Sequence, residues 1–458
     1  MRHWLVLVLV LTLPAHADNL VDVYRLALRN DPTIRAARAS LKAGLEAEKL
    51  GLAELLPKVE GRLGFNFTRK ENLGRFPAGA LLIPSNTKTN STTHNWRLQL
   101  VQPIFDLTAW FHFRRGQELT REAKVRFTAE QQALILRVVE AYIEVLRARA
   151  NLAASRAREA ATKRQLDLAK ERFDVGLAAI TDVREAEAGY NLAVAARLAD
   201  EGAVSVAMEK LTVLTGHHHG PLWELKADYP VAPPDPADRD AWVRFALQNN
   251  YDLKAADLEK EAARQAAHAA AAEHLPKIVA NAGYGHSHTD AEQNNIKSDL
   301  NAAFEVDNRV GDVSLDLTMP LFAGGGISAA RRQAQAEFER TRETWLGTRR
   351  TVQQATRAEY VNLMTSIARI KAGRLAVASA KASVEATRAG YEVGTRNIVD
   401  VLNTVQGLYG AERDYANARL DYVVAKLRLK RLAGTLTPAD IHALNQWLEP
   451  PQTDDKKD

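Results

Sequence analysis

Several side chains in this sequence have the chemistry for catalysis or ligand binding, but their spacing argues against most such uses. The 458 residues include no cysteine, which excludes disulfides, thiol catalysis and cysteine-ligated metals. The run Gly324, Gly325 and Gly326 precedes a predicted helix as a phosphate-binding loop would, but the Lys-Ser/Thr pair of such a loop is missing. We interpret the run as a flexible strand-to-helix joint. With no nucleophile motif either, we expect neither an enzyme nor a cofactor.

The histidines give only weak signals for metal binding. Three consecutive histidines occupy positions 217–219, and a lone histidine run in a turn is usually just polar. His286 and His288 lie near the end of a predicted strand, where we expect them to face water. The sequence therefore predicts no metal site.

Charged residues with an informative spacing occur in two matching stretches. One reads FDVGLAAITDV at 173–183, and the other reads YEVGTRNIVDV at 391–401. Each stretch has glycine at its fourth position and aspartate at its tenth, and each connects two helical runs. Asp182 and Asp400 therefore hold the same place beside a glycine turn.

The two stretches are separated by a constant step. Tyr391 follows Phe173 by 218 residues, and the same step links Leu-Thr-Gly at 214–216 to Leu-Ala-Gly at 432–434. A chance match would not keep one spacing over about forty residues. A repeat of this length is too long for a solenoid unit, so we interpret the chain as a duplication of one domain-sized element.

Composition and charge exclude some classes of function. Lys and Arg number 61 against 56 Asp and Glu, a net charge of +5 with both signs mixed along the chain. This pattern is typical of a solvated surface and not of a nucleic-acid interface. Aromatic residues make up only 7%, and the long segments rich in Ala, Arg, Glu, Leu and Gln favour long helices over one large globular core.

The first seventeen residues have the features of a signal peptide. Arg2 gives a positive start, an apolar run follows at 5–13, and Ala-His-Ala at 15–17 is a typical cleavage site. No later stretch offers 18 consecutive apolar residues, so the sequence predicts no transmembrane helix. We expect the mature protein either to be soluble outside the cytoplasm or to enter an outer membrane as β-strands.

Four segments alternate between apolar and polar residues with period two. In the first, Val59, Leu63 and Phe65 share one face, as expected for a strand with one apolar side. The length of this first strand fits the roughly 9–11 residues of a membrane strand. The predicted strands lie at about 59–69, 94–102, 277–287 and 312–319, with polar loops at 70–92 and 289–310.

Long helical patterns account for most of the remaining chain. The run from about 109 to 172 contains no proline, and apolar residues recur in it at steps of three and four. Some 64 residues of helix span roughly 95 Å, which implies coiled-coil packing. A second long helix is predicted at about 327–389, and each is followed by a glycine turn and a returning antiparallel helix.

These patterns divide the chain into five parts. We expect a signal peptide at 1–17, a first structural repeat at 18–216, an inter-repeat linker at 217–238, a second repeat at 239–434 and a C-terminal tail at 435–458. The prolines of the linker are expected to stiffen it. The tail is expected to be disordered past Pro450.

Four amphipathic strands cannot form a closed barrel by themselves. Unpaired strand edges leave backbone groups unsatisfied in lipid, at a cost of several kcal/mol each. Copies of the chain must therefore pool their strands, two copies giving eight and three giving twelve. The count alone does not choose between them, although a conducting pore favours three. The alternative is a soluble periplasmic coiled-coil adaptor or structural protein with two small surface hairpins.

The two turn motifs, with their continuations REAEAGYNLA and LNTVQGLY, resemble those of the TolC family of outer-membrane exit ducts. The resemblance covers nearly the whole mature chain. It is stronger to the type I secretion members than to the lipoprotein efflux factors. It implies a mainly α fold with a membrane β-barrel: a homotrimer, a twelve-stranded barrel and an α-helical tunnel. It also implies docking of an inner-membrane ABC or proton-driven transporter and a periplasmic adaptor.

The resemblance further implies a gate at the periplasmic end of the tunnel. The residues that match the family's gate are Thr181 and Asp182 in the first turn and Tyr391 and Arg396 in the second. A bond between arginine and a carboxylate is charge-assisted and directional, so three symmetric copies would form a latch. The alternative is that these residues only stabilise their own turns, with Asp182 capping its helix.

Four further residues match positions at the tunnel constriction or at a second gate contact. Asp400 matches the first of two acidic rings in the family, and the second ring position is Asn403 here. One acidic ring instead of two predicts weaker cation selectivity. Gln165 and Arg419 match positions linked to a further inter-helix gate contact. We expect an exit duct for protein secretion, multidrug efflux or both, and the cargo stays open.

Overall fold

The computed structural model describes residues 18–78, 81–295 and 300–451. The predicted signal peptide and the last residues of the predicted tail lie outside this range. The elements are α1 (Leu20–Asn30), α2 (Pro32–Ala53), β1 (Lys58–Ala78), β2 (Leu81–Phe105), α3 (Leu107–Asp174), α4 (Ile180–Thr215), β3 (Glu224–Leu225), α5 (Arg239–Asn249), α6 (Tyr251–Ala272), β4 (Lys277–Asn295), β5 (Leu300–Thr318), α7 (Gly326–Glu392), α8 (Ile398–Leu432), α9 (Pro438–Asn445) and β6 (Leu448–Glu449).

The chain divides into two compact units, one of which contains the large sheet. This unit comprises residues 43–123 and 257–344. Its four strands are antiparallel in the order β1-β2-β4-β5. One face of the sheet is apolar and exposed, with Leu63 89% and Val313 86% accessible. The opposite alternate positions are polar, as the period-two pattern predicts.

The strands are longer than the sequence predicts. The loops expected at 70–92 and 289–310 instead continue the ladder, so that β1 and β2 pair as far as Ala78 and Leu81. Within this region Glu71 lies opposite Lys88, and their side chains are 3.9 Å apart. Apolar–polar alternation reports the burial of one face and not the ladder itself. Where both faces are polar the signal is lost although the backbone hydrogen bonds continue.

A glycine in β4 makes room for an ion pair across the polar face. Arg97 of β2 reaches over β4 to Asp312 of β5, with Nη2 and Oδ1 2.6 Å apart. A Cβ on Gly283 would come within 2.5 Å of the guanidinium. Glycine is therefore needed here because a side chain from a neighbouring strand crosses this position.

The other unit comprises residues 18–42, 124–256 and 345–451 of the described chain and is mainly helical. Its main core is formed by α1, α3, α4, α8 and α9. The apolar positions that recur along α3 are all buried, namely Leu134, Val138, Tyr142 and Val145. The long helices end within three residues of the predicted positions, because proline, glycine and periodicity mark their ends locally. Helices in the described part of the chain all lack an apolar stretch of the length that a bilayer crossing requires.

A buried ion pair fixes the break between α1 and α2. Asp31 is 2% exposed, accepts a hydrogen bond from the Thr33 amide at 2.8 Å and lies 2.8 Å from the Arg137 guanidinium. Burial by itself would raise the pKa of Asp31, but the hydrogen bonds from Arg137 and Thr33 outweigh it and hold this pKa below its ordinary value. The Asp31 carboxylate therefore accepts a hydrogen bond from the first turn of α2 and connects this helix to α3 through Arg137.

The linker and the tail pair with each other, which the sequence does not reveal. Strand β3 lies in the predicted linker and pairs with β6 of the predicted tail. The ring of Tyr229 packs edge-on against Trp447 with centroids 5.9 Å apart. The linker is therefore ordered by this pairing as well as by its prolines. A pair of two-residue strands has no periodicity, so only the folded chain identifies it.

Candidate gate at the two helical turns

The two glycine turns have the same backbone geometry. Gly176 and Gly394 are left-handed, with φ of 74° and 77°. The amide of Leu177 donates to the Arg172 carbonyl at 2.7 Å, and the amide of Thr395 donates to the Gly390 carbonyl at 2.8 Å. These are the long hydrogen bonds of a Schellman motif, which uses glycine because other residues resist positive φ.

Apolar residues pack the two hairpins together close to these turns. One buried cluster contains side chains from α3, α4, α7 and α8, and Tyr391 and Ile398 belong to it. Ile398 is fully buried and Tyr391 is 5% exposed. The remaining buried members are Ala161, Leu166, Ala169, Val183, Ala186, Val384, Val401 and Val405. The helices that enter and leave the two turns are therefore packed together, and Tyr391 is part of that packing.

The helices that leave the two turns begin differently. Asn397 caps α8, and its side-chain oxygen accepts a hydrogen bond from the Asp400 amide at 2.8 Å. Ala179 precedes α4 and has no side chain that could cap it. Asp182 lies in the first turn of α4 and does not cap it, so the capping alternative does not apply. Its charge still interacts favourably with the positive end of the helix dipole.

Tyr391 is held under a cation that the sequence did not single out. The Arg172 guanidinium lies 5.0 Å from the centre of the Tyr391 ring. The tyrosine hydroxyl is buried and has no hydrogen-bond partner among the described residues. Burial raises the pKa of Tyr391, the negative charge of Asp182 raises it further, and Arg172 opposes both effects. Arg172, Asp182 and Tyr391 thus form one electrostatic group.

Arg396 interacts with the helix that follows it, α8. Its Nη1 lies 3.6 Å from Oδ2 of Asp400, four residues further along. Arg396 is exposed and Asp400 is partly exposed, and no ion pair joins Arg396 to Asp182 among the residues described. Thr181 and Asn403 are also exposed. Asp182 and Tyr391 are therefore close enough to interact electrostatically, but a bond between Asp182 and Arg396 is not formed within the described part of one chain.

Gln165 and Arg419 are not brought together. Gln165 is buried in α3, whereas Arg419 donates a hydrogen bond to the carbonyl of Lys226 in the linker. Two hydrogen bonds show the register of the antiparallel helices α3 and α8. The side chain of Asn417 donates to Asn151, and Arg158 donates to Gln406, each over 3.1 Å. By this register Gln165 and Arg419 are roughly 25–30 Å apart along the helix axis. Within the described chain the expected contact between them is absent.

One histidine of the run, His219, belongs to a buried chain of hydrogen bonds. His219 has a fully buried side chain whose Nδ1 lies 2.8 Å from a carboxylate oxygen of Asp18. Its Nε2 lies 2.7 Å from the Thr215 hydroxyl. The order of groups is that of a catalytic triad, but Thr215 is 0% exposed and also donates to the Leu211 carbonyl. We assign this chain a structural role, since no substrate can reach the hydroxyl.

The chain matches a family model described as outer membrane efflux protein over residues 23–217 and 242–435. It is 32% identical over 435 residues to the outer membrane protein TolC of Vibrio cholerae, covering 94% of each chain. It is 31% identical over 440 residues to the alkaline protease secretion protein AprF of Pseudomonas aeruginosa, covering 94% of this chain and 88% of that one.

Solved structures show the same fold at lower identity. The outer-membrane channel OprN superposes with a TM-score of 0.72 at 17% identity, covering 91% of this chain and 90% of that chain. The outer membrane protein VceC from Vibrio cholerae gives a TM-score of 0.70 at 20% identity, covering 91% and 96%. These similarities extend over both the strands and the long helices.

Proposed function

Because the chain belongs to the outer membrane efflux protein family, we propose that it is the gated exit duct of a trans-envelope export system. It is an outer-membrane protein of mainly helical fold. We propose that it acts as a homotrimer, closed at its periplasmic end and opened by partner proteins. Transport energy would come from those partners, since a passive duct needs no catalytic site of its own.

The observation that carries this proposal is the open sheet with an exposed apolar face. The described sheet ends at β1 and β5, and Leu63, Val313 and Leu315 project from its apolar face with 68–89% of their surface accessible. Such a face is stable in lipid, but the two open edges are not. Three copies would contribute twelve strands and close the sheet into a barrel around a conducting interior.

The same symmetry would assemble the helices into a tunnel whose far end holds the turns. Each chain contributes the hairpins α3–α4 and α7–α8, and three chains supply twelve helical segments. The packed cluster around Ile398 supports both turns of one chain at the same end. We therefore propose that six glycine turns meet at the periplasmic tip, where an adaptor can contact them.

We propose that the closed tip is held by Thr181, Asp182, Tyr391 and Arg396. Tyr391 and Asp182 influence each other within one chain. The Arg396 side chain is 61% exposed, and among the described residues its one ion pair is a long contact of 3.6 Å with Asp400. Its guanidinium retains free donors for a carboxylate of a neighbouring copy, such as Asp182. Arg396 could change its partner from Asp400 to Asp182 at a small cost in free energy, because both carboxylates lie near the surface.

Asp400 is proposed as the one acidic ring of the constriction. Three copies around a threefold axis would produce a negative potential that favours cations. Arg396 beside each Asp400 weakens that potential, and Asn403 adds no charge one turn further on. We expect the selectivity for cations over anions to be weak and to fall further in Asp400→Asn, measured as the reversal potential in a salt gradient.

The proposed partners are a periplasmic adaptor and an inner-membrane transporter, either an ABC transporter or a proton-driven pump. Relatives named as protease secretion proteins favour secretion of proteins as one use of the duct. A relative named as an outer membrane efflux protein favours export of small molecules as the other. Membership of this family argues against the alternative of a soluble periplasmic adaptor.

Single-channel conductance of the purified protein in a planar bilayer tests the proposal. The wild type is compared with the double variant Asp182→Ala, Arg396→Ala. A matched control replaces the exposed ion pair Arg413–Asp414 of α8, which is 2.9 Å long and lies away from the turns. We expect a small conductance for the wild type and the control, and a severalfold larger conductance for the double variant.

Each other outcome rejects a defined part of the proposal. Equal conductance in all three proteins would leave the duct standing and reject the gate residues. An increase in the control as well would show that any loss of charge on these helices opens the pore. If folded protein forms no pores in any version, the duct itself is rejected.

A further inference from the structure

One group of possible metal ligands lies outside the gate, on strands β4 and β5. In the register of these strands His288 lies opposite Asp307, and Asp290 lies opposite Glu305. Because side chains alternate along a strand, these four residues share one face. Tyr284 lies on the same face. The four residues lie beyond the apolar band, between it and the β4–β5 hairpin. Both histidines, expected near a strand end, lie well within β4.

Three of these residues already have the spacing of metal ligands. Each residue offers one ligand atom, and the three atoms of His288, Asp290 and Glu305 lie within 4.8 Å of one another. Nε2 of His288 and Oδ1 of Asp290 are 3.3 Å apart. A tetrahedral zinc ion with bonds of about 2.0–2.1 Å separates two ligand atoms by roughly 3.4 Å. The first two ligand atoms thus need almost no movement.

Asp307 prepares His288 to bind a metal. The Nδ1 of His288 lies 2.9 Å from a carboxylate oxygen of Asp307. A carboxylate can only accept, so Nδ1 carries the proton and the lone pair of the neutral ring is on Nε2. This arrangement, in which a carboxylate orients a histidine whose other nitrogen binds the metal, is the usual support of a zinc ligand.

The same tautomer leaves an electrostatic conflict that a cation would remove. The lone pair of Nε2 faces an oxygen of Asp290, and Asp290 lies directly opposite Glu305 in the ladder. Like charges directly across a sheet are destabilising. A proton on Nε2 would relieve only the first contact. A metal ion would relieve both, since it uses Glu305 as well.

We propose that His288, Asp290 and Glu305 bind a divalent transition-metal ion of the zinc class, with Asp307 orienting the histidine. Imidazole together with carboxylate oxygens suits zinc better than the all-oxygen sites of calcium or magnesium. The side chains are accessible, Asp290 being 52% exposed, so an ion can enter and water can fill the remaining positions. The ion would tie β4 to β5 beyond the apolar band, whatever the protein exports.

Zinc titration of the full-length protein in detergent tests the proposal, with a histidine-free affinity tag and prior removal of metals. The variants are His288→Ala, Asp290→Asn and Glu305→Gln, read by calorimetry with Zn²⁺ as the only probe. His112→Ala is a matched control, because His112 forms an exposed pair with one carboxylate, Glu54, at 2.8 Å. His218→Ala controls for binding by the exposed histidines at 217 and 218.

We expect one zinc ion per chain in the wild type and both controls. Each ligand variant should bind at least about tenfold more weakly. Without metal, Glu305→Gln should unfold no earlier than the wild type, since it removes a repulsion. With zinc, only the wild type and the controls should gain thermal stability.

Besides a complete absence of zinc binding, three results would overturn the site. One is zinc affinity unchanged in Glu305→Gln and Asp290→Asn, and another is a loss of affinity as large in either control. The third is calcium binding as tight as zinc binding and insensitive to His288→Ala. Normal pores combined with absent zinc binding would reject the site and leave the duct standing.

Discussion

The two helical turns share a backbone but differ in their chemistry. In both turns the left-handed glycine and the long hydrogen bond occur at equivalent positions, which are 218 residues apart in the sequence. Yet Ile180 is 49% exposed, whereas its counterpart Ile398 is 0% exposed. Phe173 is 41% exposed, and its counterpart Tyr391 is 5% exposed. The second turn therefore buries two apolar side chains at its ends, whereas their counterparts in the first turn lie at the surface.

The polar residues differ in the same direction. The second turn has Arg396, Asn397 and Asp400, which supply an ion pair and a helix cap. At the matching positions of the first turn stand Ala178, Ala179 and Asp182. The glycine explains why both turns keep the same geometry. The residue type at 397 and 179 explains why only α8 has a side-chain cap. If the proposed gate is correct, the duplicated hairpin supplies it with two chemically unequal turns.

Removing the apolar side chain at each turn should have the largest effect on this comparison. Ile398→Ala creates a cavity in the cluster and should cost about 2–5 kcal/mol. Ile180→Ala removes an exposed side chain and should change stability by about 0.5 kcal/mol or less. Amide hydrogen exchange of peptides covering both turns measures the local opening free energy. Equal losses would show that the first turn is also buried in the assembled protein.

Exchanging the helix caps should give effects of opposite sign. Asn397→Ala leaves the start of α8 without its side-chain acceptor and should destabilise that turn by about 1 kcal/mol. Ala179→Asn supplies the missing cap to α4 and should stabilise the first turn by a similar amount. The same exchange experiment reads both. If Ala179→Asn does not slow hydrogen exchange of any amide near residue 180, the backbone geometry at the start of α4 does not allow an Asn side chain to cap it.

The ion pair of the second turn should contribute less. Because Arg396 and Asp400 are 61% and 37% exposed, a double-mutant cycle should give about 0.2–1 kcal/mol. The coupling should fall in high salt. The reverse change, Ala178→Arg, places an arginine four residues before Asp182 and should create a comparable coupling there. A coupling in the second turn that is insensitive to salt would contradict a pair formed near the surface.

The smallest effect is expected from the tyrosine and only at alkaline pH. Burial, followed by the charge of Asp182, raises the pKa of Tyr391 above its ordinary value of 10.0. The unfolded chain then ionises first, so stability is complete below about pH 10 and is lost as the pH rises towards the folded pKa. Tyr391→Phe, which copies the first turn, should lose less stability between pH 9 and 11. Parallel thermal melts at both pH values make the comparison, and identical losses would remove Tyr391 from the buried group.

Much of the fold could be predicted because its signals are local. Glycine in a left-handed position, proline at helix ends and apolar periodicity locate α3, α7 and both turns, and the predicted family is confirmed. The strands were predicted too short, since the ladder outlasts the apolar face. The gate residues themselves stay predictions. Arg172 gave no signal in sequence, because its contact with Tyr391 joins positions more than 200 residues apart.

The sequence by itself therefore determined the duplication, the turn geometry and the apolar faces of the strands. These follow from backbone sterics and from periodicities of two and 3.6 residues, which neighbouring residues impose on one another. Only the tertiary structure decided which turn is buried, that Arg396 contacts Asp400, and that β3 pairs with β6. It also placed His288, Asp290 and Glu305 together. Such contacts depend on strand register and helix packing between distant segments, which no local pattern specifies.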